Sequence, residues 1–170
     1  MTMNATIPIR DGAMAGHIRA NELQTMQRGF KLHGGLATGD EVAGMLRARN
    51  EQPISMLARW IVGRSVVSFS WHSRIMLPLF QFHRESMCPC AGTSAVIAEL
   101  VDSFDDWDLS SWFASPNAWI GGAAPAALVQ SHPQCVLEAA RLDIRAQDKD
   151  RLRQRIQFER VIELQPHRLV

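Results

Sequence analysis

Strand-type composition is confined to one segment of the chain, and this restriction decides the fold class. Residues 65–82 (SVVSFSWHSRIMLPLFQF) are rich in β-branched and aromatic side chains, with a polar His-Ser-Arg sequence between two apolar runs. The pattern predicts a hairpin in which Pro78 places the second strand at a sheet edge or ends its pairing early. Elsewhere the apolar residues recur at helical spacing. We therefore expect a mainly α-helical α+β fold with one β-hairpin.

Two short helices are predicted immediately before the hairpin. Thr38, followed three residues later by Glu41, has the form of a capping box that begins the first helix. Pro53 begins the second helix, whose apolar stripe consists of Ile54, Leu57, Ala58 and Ile61. Helix, helix and hairpin follow one another as in a helix-turn-helix module with a β-wing. We expect such a module over residues 34–84, after a flexible N-terminal arm over residues 1–33 that has room for a short helix around Ile18 to Met26.

A helix-turn-helix module implies a specific set of DNA contacts. The second helix would enter the major groove, where Ser55 and Arg59 reach base edges. The phosphate contacts would come from Arg47, Arg49, Arg64 and Arg74. Residues 1–84 contain ten Lys and Arg against five Asp and Glu, which suits a segment that meets a polyanion. The alternative is a degenerate or purely structural module whose charges form solvated faces.

The acidic middle of the chain predicts a helical second domain. Residues 85–140 contain seven Asp and Glu and no Lys or Arg. Short helical periods with breaks between them predict a compact bundle over residues 85–144, followed by a charged helix or tail over residues 145–170. The residues expected in the core of the bundle are Leu100, Phe104, Leu109, Trp112, Phe113, Leu128, Val136 and Leu137. Those expected in the core of the first module or at the junction are Trp60, Trp71, Phe80 and Phe82.

A spaced set of residues in the second half resembles a known family. The set comprises Phe80-Gln81-Phe82, Trp112, Ser115-Pro116-Asn117, Ile120-Gly121-Gly122 and the run from Pro125 to Leu128. It resembles the C-terminal toxin-binding domain of antitoxins of the Xre/MbcA/ParS type, over about residues 76–142. The resemblance implies that the C-terminal half binds and silences a cognate toxin and that the N-terminal half represses its own operon. Known partners of the family include RES-type toxins, which act on NAD.

Four residues are candidates for contact with such a partner. Trp119 lies on a loop between proline and glycine residues that interrupt regular structure, where its side chain either fills space in the core or anchors a partner, and Ile120 follows it. Arg151 and Arg155 lie in the charged tail, which lacks a full apolar face and would order on binding. If the protein also binds operator DNA, paired half-sites would match a homodimer.

The sequence offers no constellation for catalysis or metal binding. Helix ends and caps account for the acidic group formed by Asp102, Asp105, Asp106 and Asp108. His83, Cys88 and Cys90 do not have a common zinc spacing, and only Cys135 or His72 could complete four ligands. Neither a Gly-x-Ser-x-Gly elbow nor a phosphate-binding glycine loop is present. We expect no enzyme activity, no cofactor, no metal and three reduced cysteines.

Compartment and function class follow from these expectations. The chain has no run of about 18 apolar residues and its N-terminus lacks the apolar block of a signal peptide, which predicts a cytoplasmic protein without a membrane partner. An antitoxin-like protein that binds a toxin and operator DNA is the favoured function. The alternatives are a stand-alone DNA-binding regulator and a protein-interaction module without DNA binding.

Overall fold

The computed structural model describes the backbone of residues 11–163 and the side chains of residues 18–158. The helices are α1 (Asp11–Phe30), α2 (Gly39–Arg47), α3 (Pro53–Val62), α4 (Ala91–Leu100), α5 (Asp106–Ala114), α6 (Pro125–Leu128) and α7 (Pro133–Glu163). The strands are β1 (Leu36–Thr38), β2 (Phe69–Trp71) and β3 (Arg74–Pro78). Single turns of 3-10 helix lie at Lys31–His33, Leu79–Gln81 and Ala118–Ile120. The expected mainly α fold with a small β-hairpin is confirmed.

The sheet contains one strand more than the hairpin that the sequence predicts. Its antiparallel order is β1-β3-β2, with Phe69 opposite Met76 and Leu36 opposite Pro78. β3 is therefore the central strand, so the first alternative for Pro78, an edge position, was wrong. The second alternative fits, because Pro78 is the last residue of β3 and the chain turns directly into a 3-10 helix.

The capping box predicted at the start of α2 is present in full. The Thr38 hydroxyl accepts a hydrogen bond from the Glu41 backbone N–H, and the Glu41 carboxylate accepts one from the Thr38 backbone N–H at 2.7 Å. Hydrogen bonds from the backbone and side chain of Thr38 hold the pKa of Glu41 below its ordinary value. Each of these two side chains thus accepts a hydrogen bond from the other residue's backbone N–H, which has no partner within the helix. The start of α2 is therefore determined by residues close together in the sequence.

The hairpin turn uses residues that do not favour its backbone conformation. His72 and Ser73 both have positive φ, 44° and 61°, between the paired residues Trp71 and Arg74. A two-residue turn with positive φ at both positions is of type I′, for which Asn-Gly is the preferred sequence.

Ser73→Gly is expected to raise the free energy of unfolding by about 0.5–1 kcal/mol, because glycine adopts positive φ without a Cβ penalty. Urea denaturation measures the change. Ser70→Gly, on the exposed face of β2, is the matched control and is expected to lower stability, since its backbone is ordinary strand. Destabilisation by Ser73→Gly would contradict the prediction.

Residues 11–30 form helix α1, which includes the short helix expected around Ile18 to Met26 but is longer, so that much of the expected flexible arm is helical. Met26 and Phe30 are fully buried, and the Phe30 ring stacks on Phe80 with centroids 5.4 Å apart. Gly29 lies so close to Ala114 that a Cβ at residue 29 would clash with the Ala114 carbonyl oxygen. Few apolar residues of α1 face the core, so its sequence carries no sustained helical period. The first ten residues of the expected arm lie outside the described residues.

Trp107 of α5 connects α1 to the sheet. Its indole N–H donates to the Glu22 carboxylate at 2.9 Å, and the Arg19 guanidinium lies 5.3 Å above its ring. On the other side it packs edge-on against Phe69 and stacks with Trp71. These contacts give α1 a second attachment beyond Met26 and Phe30.

The core does not divide at residue 84, where the sequence predicts a domain boundary. The larger cluster joins Met26 and Phe30 of α1 and Phe80 of the first module to the helices of the bundle. Met87, from beyond the boundary, belongs instead to the smaller cluster around α2 and α3. The expected core residues lie in or against these clusters, but Trp60, Trp71, Phe104, Trp112, Leu128 and Leu137 are only half-buried.

Helix α7 runs without interruption through the predicted boundary at residue 145. It has 31 residues, begins with a proline in its first turn, and contains no later proline or glycine to end it. Its first half packs on α4, where a Cβ on Gly92 would meet the Pro133 ring at 2.7 Å. Side chains 151–158 are all exposed. The expected tail beyond Glu163 lies outside the described residues.

Candidate functional site

One carboxylate organises the charge-free loop after α5. Asp143 of α7 accepts three hydrogen bonds, each 2.7 Å long: from the indole N–H of Trp112, the side-chain amide of Asn117 and the indole N–H of Trp119. Residues 111–130 contain no Asp or Glu, so their donors take an acceptor from a different helix. The loop is thereby fastened to α7.

Asn117 gives this loop its shape. Its side-chain oxygen accepts the backbone N–H of Trp119 at 2.9 Å, and its backbone groups pair with Gly122 and Ala123. Gly121 and Gly122 both have positive φ, which closes the turn at no cost for a residue without a Cβ. Although it is polar, Asn117 is buried, because its hydrogen bonds are satisfied.

Trp119 lies on the surface in a fixed orientation. The side chain is 53% exposed, while its N–H is held by Asp143 and its backbone N–H by Asn117. It does not plug the core, which was one of the two expectations for this residue. Ile120 is half-buried against the larger core cluster, and so it supports the loop and offers less surface to a partner.

The exposed half of α7 carries the other two residues expected to contact a partner. Arg151 and Arg155 are exposed there, among neighbours that include an Arg153–Asp150 ion pair at 3.6 Å. The apolar side chains of Leu152, Ile156 and Phe158 are also exposed in this region. The surface therefore combines cations with apolar groups.

The residues expected to contact DNA divide into two groups. Arg47, Arg49, Ser55, Arg59 and Arg74 are all exposed on the α2, α3 and hairpin module. The expected apolar stripe of α3 is partly wrong, however, because Ile54 is 66% exposed and Ala58 faces solvent beside Val62. Burial on α3 centres on Leu57, with Met56, Trp60 and Ile61 packed around it. The solvent face of α3 therefore mixes apolar side chains with Ser55 and Arg59.

Arg64, expected to contact phosphate, is instead bound within the protein. Its guanidinium donates to the backbone carbonyls of Val101, which caps α4, and of Phe104 in the turn that follows, and lies 3.1 Å from the Asp106 carboxylate. A cation is favoured there because the last carbonyls of a helix have no intrahelical partner. Arg64 therefore joins the end of α3 to the bundle, and these contacts occupy the guanidinium that was expected to bind phosphate.

Arg64→Gln is expected to lower the free energy of unfolding by about 1–2 kcal/mol, since charged hydrogen bonds to carbonyls are lost at a half-exposed site. The exposed residue Arg47 supplies the matched control, and Arg47→Gln is expected to change stability by less than about 0.5 kcal/mol. Guanidinium chloride denaturation compares the two variants. Equal stabilities would show that Arg64 does not connect the modules.

The acidic residues around the start of α5 and the buried Cys90 are accounted for by contacts within the protein. Asp105 caps α5 by accepting the Asp108 backbone N–H at 2.8 Å, and Asp106 pairs with Arg64. Burial, with the carboxylates of Asp105 and Glu22 nearby, raises the pKa of Asp108 above its ordinary value. Burial likewise raises the pKa of the Cys90 thiol. Within residues 18–158, no three His, Cys, Asp or Glu side chains are grouped so that they could hold a metal ion.

Asp143 belongs to the candidate site, but the sequence does not single it out. It lies just before the expected charged segment and has no motif around it. The available signal was indirect: a stretch with two tryptophan N–H groups and an asparagine amide, but without any carboxylate, needs an acceptor from elsewhere.

Comparison of the chain with protein-family models, with curated proteins and with solved structures finds no match. In the part of the chain that the structure describes, no helix has the length and apolar character needed to cross a membrane.

Proposed function

We propose that this chain is an antitoxin-like protein that binds and neutralises a partner protein through the surface around Trp119. The observation that carries the proposal is a half-exposed tryptophan whose indole N–H is hydrogen-bonded to Asp143 at 2.7 Å. Tryptophan is enriched among the residues that dominate binding energy at interfaces. An anchor that is already ordered loses little conformational entropy on binding. The family resemblance over residues 76–142 supports a toxin as the partner.

The exposed half of α7 extends the proposed surface. Asp143 and Arg151 lie on the same helix, eight residues apart, so the loop and the basic segment belong to one continuous element. Arg151 and Arg155 would contact acidic groups of the partner, with Leu152 and Ile156 supplying apolar area. The proposal places the protein in the cytoplasm, together with a RES-type or related toxin.

Coexpression with a growth-arresting protein encoded beside this gene tests the proposal. Wild type is expected to restore growth, and Trp119→Ala to weaken the purified complex about 30-fold, which is about 2 kcal/mol. Val62→Ala, at an exposed apolar residue of α3, is the matched control and is expected to leave affinity unchanged. Growth arrest that persists in the presence of wild type would refute the function, and unchanged affinity of Trp119→Ala would refute the site.

Operator binding is a second candidate function of the first module. It is supported by the exposure of Arg47, Arg49, Arg59 and Arg74 on one module, in a segment with an excess of cations. Ser55 and Arg59 lie on the solvent face of α3, where base edges would be reached. A homodimer would match paired half-sites.

Fluorescence anisotropy with the DNA upstream of this gene tests operator binding. Between about 50 and 200 mM salt, the affinity is expected to fall steeply, and Arg47→Gln to reduce the salt slope by about one. Arg145→Gln, on the exposed face of α7, is the control and is expected to leave the slope unchanged. Equal affinity for unrelated DNA would exclude a repressor function while leaving toxin neutralisation untouched.

A further inference from the structure

A depression where α2 is followed by α3 combines groups that suit a particular class of ligand. It has a volume of about 630 Å³, and its walls include Arg49, Asn50, Gln52, Met56, Arg59 and Trp60. Small-molecule sites commonly have volumes of about 300–1,000 Å³, with apolar or aromatic walls and a few polar groups. The depression is therefore large enough for a ligand of roughly nucleotide size.

Two guanidinium groups reach this depression from different parts of the chain. Arg49 lies just beyond α2 and Arg59 lies on α3, and both side chains are exposed. Neither forms an ion pair with any residue that the structure describes. Arg49 donates one hydrogen bond to the Met45 carbonyl and keeps its other N–H groups available. Glu51 is the one acidic residue of the lining, so the cations exceed it and an anion is favoured.

Trp60 supplies a ring beside these cations. The indole packs against Phe82 with centroids 6.0 Å apart, and the same side chain also lines the depression. Because Phe82 is buried, this contact fixes the position of the indole. The Asn50 side-chain oxygen accepts the Gln52 backbone N–H at 2.7 Å, which orders the turn. The Gln52 side chain is exposed and makes no hydrogen bond within the described residues, so its amide can pair with a base edge.

We propose that this depression binds a single nucleotide unit, with the phosphate between Arg49 and Arg59 and the base stacked on Trp60. Guanidinium groups recognise phosphate oxygens through paired N–H donors, and bases stack on aromatic side chains irrespective of sequence. The site requires neither a toxin nor duplex DNA, and thus goes beyond the proposed functions. Two sources supply the same chemistry: a free mononucleotide, and an unpaired nucleotide within a single strand.

Calorimetric titration of the full chain with AMP, adenosine and ribose 5-phosphate tests the site. AMP is expected to bind at least about 10-fold more tightly than either fragment, because each fragment lacks the phosphate or the base. Ribose 5-phosphate binding as tightly as AMP would reveal only a nonspecific anion site and would overturn the proposal. Absence of binding at millimolar AMP would also overturn it.

Substitutions locate the binding within the depression. Arg49→Gln and Arg59→Gln are each expected to weaken AMP binding about 10-fold, because a charged contact to phosphate is lost. Arg145→Gln, at an exposed residue of α7 outside the depression, is the matched control and is expected to have no effect. Trp60→Phe keeps a ring against Phe82 and is expected to weaken AMP about threefold. Unchanged AMP affinity in both arginine variants would overturn the site even if AMP binds the protein.

A short single-stranded oligoadenylate distinguishes the two sources. Tighter binding of the oligonucleotide than of AMP, weakened by Arg59→Gln, would assign the site to a single strand. Equal affinities per site would assign it to the free nucleotide. Either outcome supports a nucleotide unit as the ligand. Failure of the operator or toxin experiments would not change the conclusion about nucleotide binding.

Discussion

Gln81→Leu is expected to lower the free energy of unfolding by about 3–5 kcal/mol, because it leaves three buried backbone groups unpaired at about 1–3 kcal/mol each. The Gln81 side-chain oxygen accepts the Val67 N–H at 2.6 Å. Its amide donates to the carbonyls of Val67 and Pro78, each at 2.8 Å. Gln81 is 1% exposed and Val67 is fully buried, so water cannot replace these partners.

The position of Gln81 adds to the expected loss. Val67 precedes β2 and Pro78 ends β3, so one side chain joins the two strands of the hairpin beyond their last paired residues, Phe69 and Met76. Val67 and the neighbouring Phe80 belong to the larger core cluster, while Phe82 belongs to the smaller one. Misplacing this segment would therefore disturb both clusters.

Guanidinium chloride denaturation of Gln81→Leu measures the loss, and Gln154→Leu is its matched control. Gln154 lies on the exposed half of α7, so the same chemical change there is expected to alter stability by less than about 0.5 kcal/mol. A Gln81→Leu variant within about 1 kcal/mol of wild type would mean that the backbone finds other partners for Val67 and Pro78.

The hydrogen bonds of Gln81 could not be predicted from the sequence. The Phe-Gln-Phe string was recognised as part of a family-like pattern, but its glutamine forms two hydrogen bonds to a residue 14 positions earlier. By contrast, the capping box at Thr38 and the hairpin around His72 were predictable, because each depends on residues within a few positions of one another.

Helices whose burial depends on distant elements were predicted less well. α1 buries Met26 and Phe30 against a ring and a helix at least 50 residues away, and its own sequence has no complete apolar face. On α3 the apolar pattern contains two overlapping stripes, and only the one centred on Leu57 meets the core. Periodicity indicates that a helix forms, but its neighbours decide which face is buried.

The candidate site was located in part. The sequence singles out Trp119 from its place on a loop but leaves open whether it plugs the core or anchors a partner. Nothing in the sequence singles out Asp143, which orients it. For Arg64 the sequence suggests a DNA contact, because its sequence neighbours give no sign of the Val101 and Phe104 carbonyls that it binds. In both cases the missing information was a contact between side chains and groups more than 20 residues apart.

Asp143→Ala is expected to lower the free energy of unfolding by about 2–3 kcal/mol, because three donors lose a charged acceptor. Trp112 and Asn117 are the more costly losses, since they are more buried than Trp119, whose N–H can be hydrated once the loop detaches. Asp143→Asn keeps one acceptor oxygen but turns an amide N–H₂ toward other donors, so it is expected to recover only part of the loss.

Chemical denaturation measures the stability change, with Asp148→Ala as the matched control. Asp148 lies on the same helix and is exposed, and its replacement is expected to change stability by less than about 0.5 kcal/mol. Stability of Asp143→Ala equal to that of the control would show that the loop does not depend on the carboxylate.

Partner affinity gives the second and more specific measurement for Asp143. The carboxylate has no apolar surface of its own to offer, yet Asp143→Ala is expected to weaken the partner complex about 10-fold or more, because Trp119 must then be ordered during binding. Trp119→Phe separates the two contributions: it removes the N–H that Asp143 accepts but keeps a ring on the surface. If orientation is what matters, Trp119→Phe and Asp143→Ala weaken the complex alike, and the double variant is no weaker than either. If Asp143 only stabilises the fold, Asp143→Ala lowers stability while the affinity of the folded protein stays that of wild type.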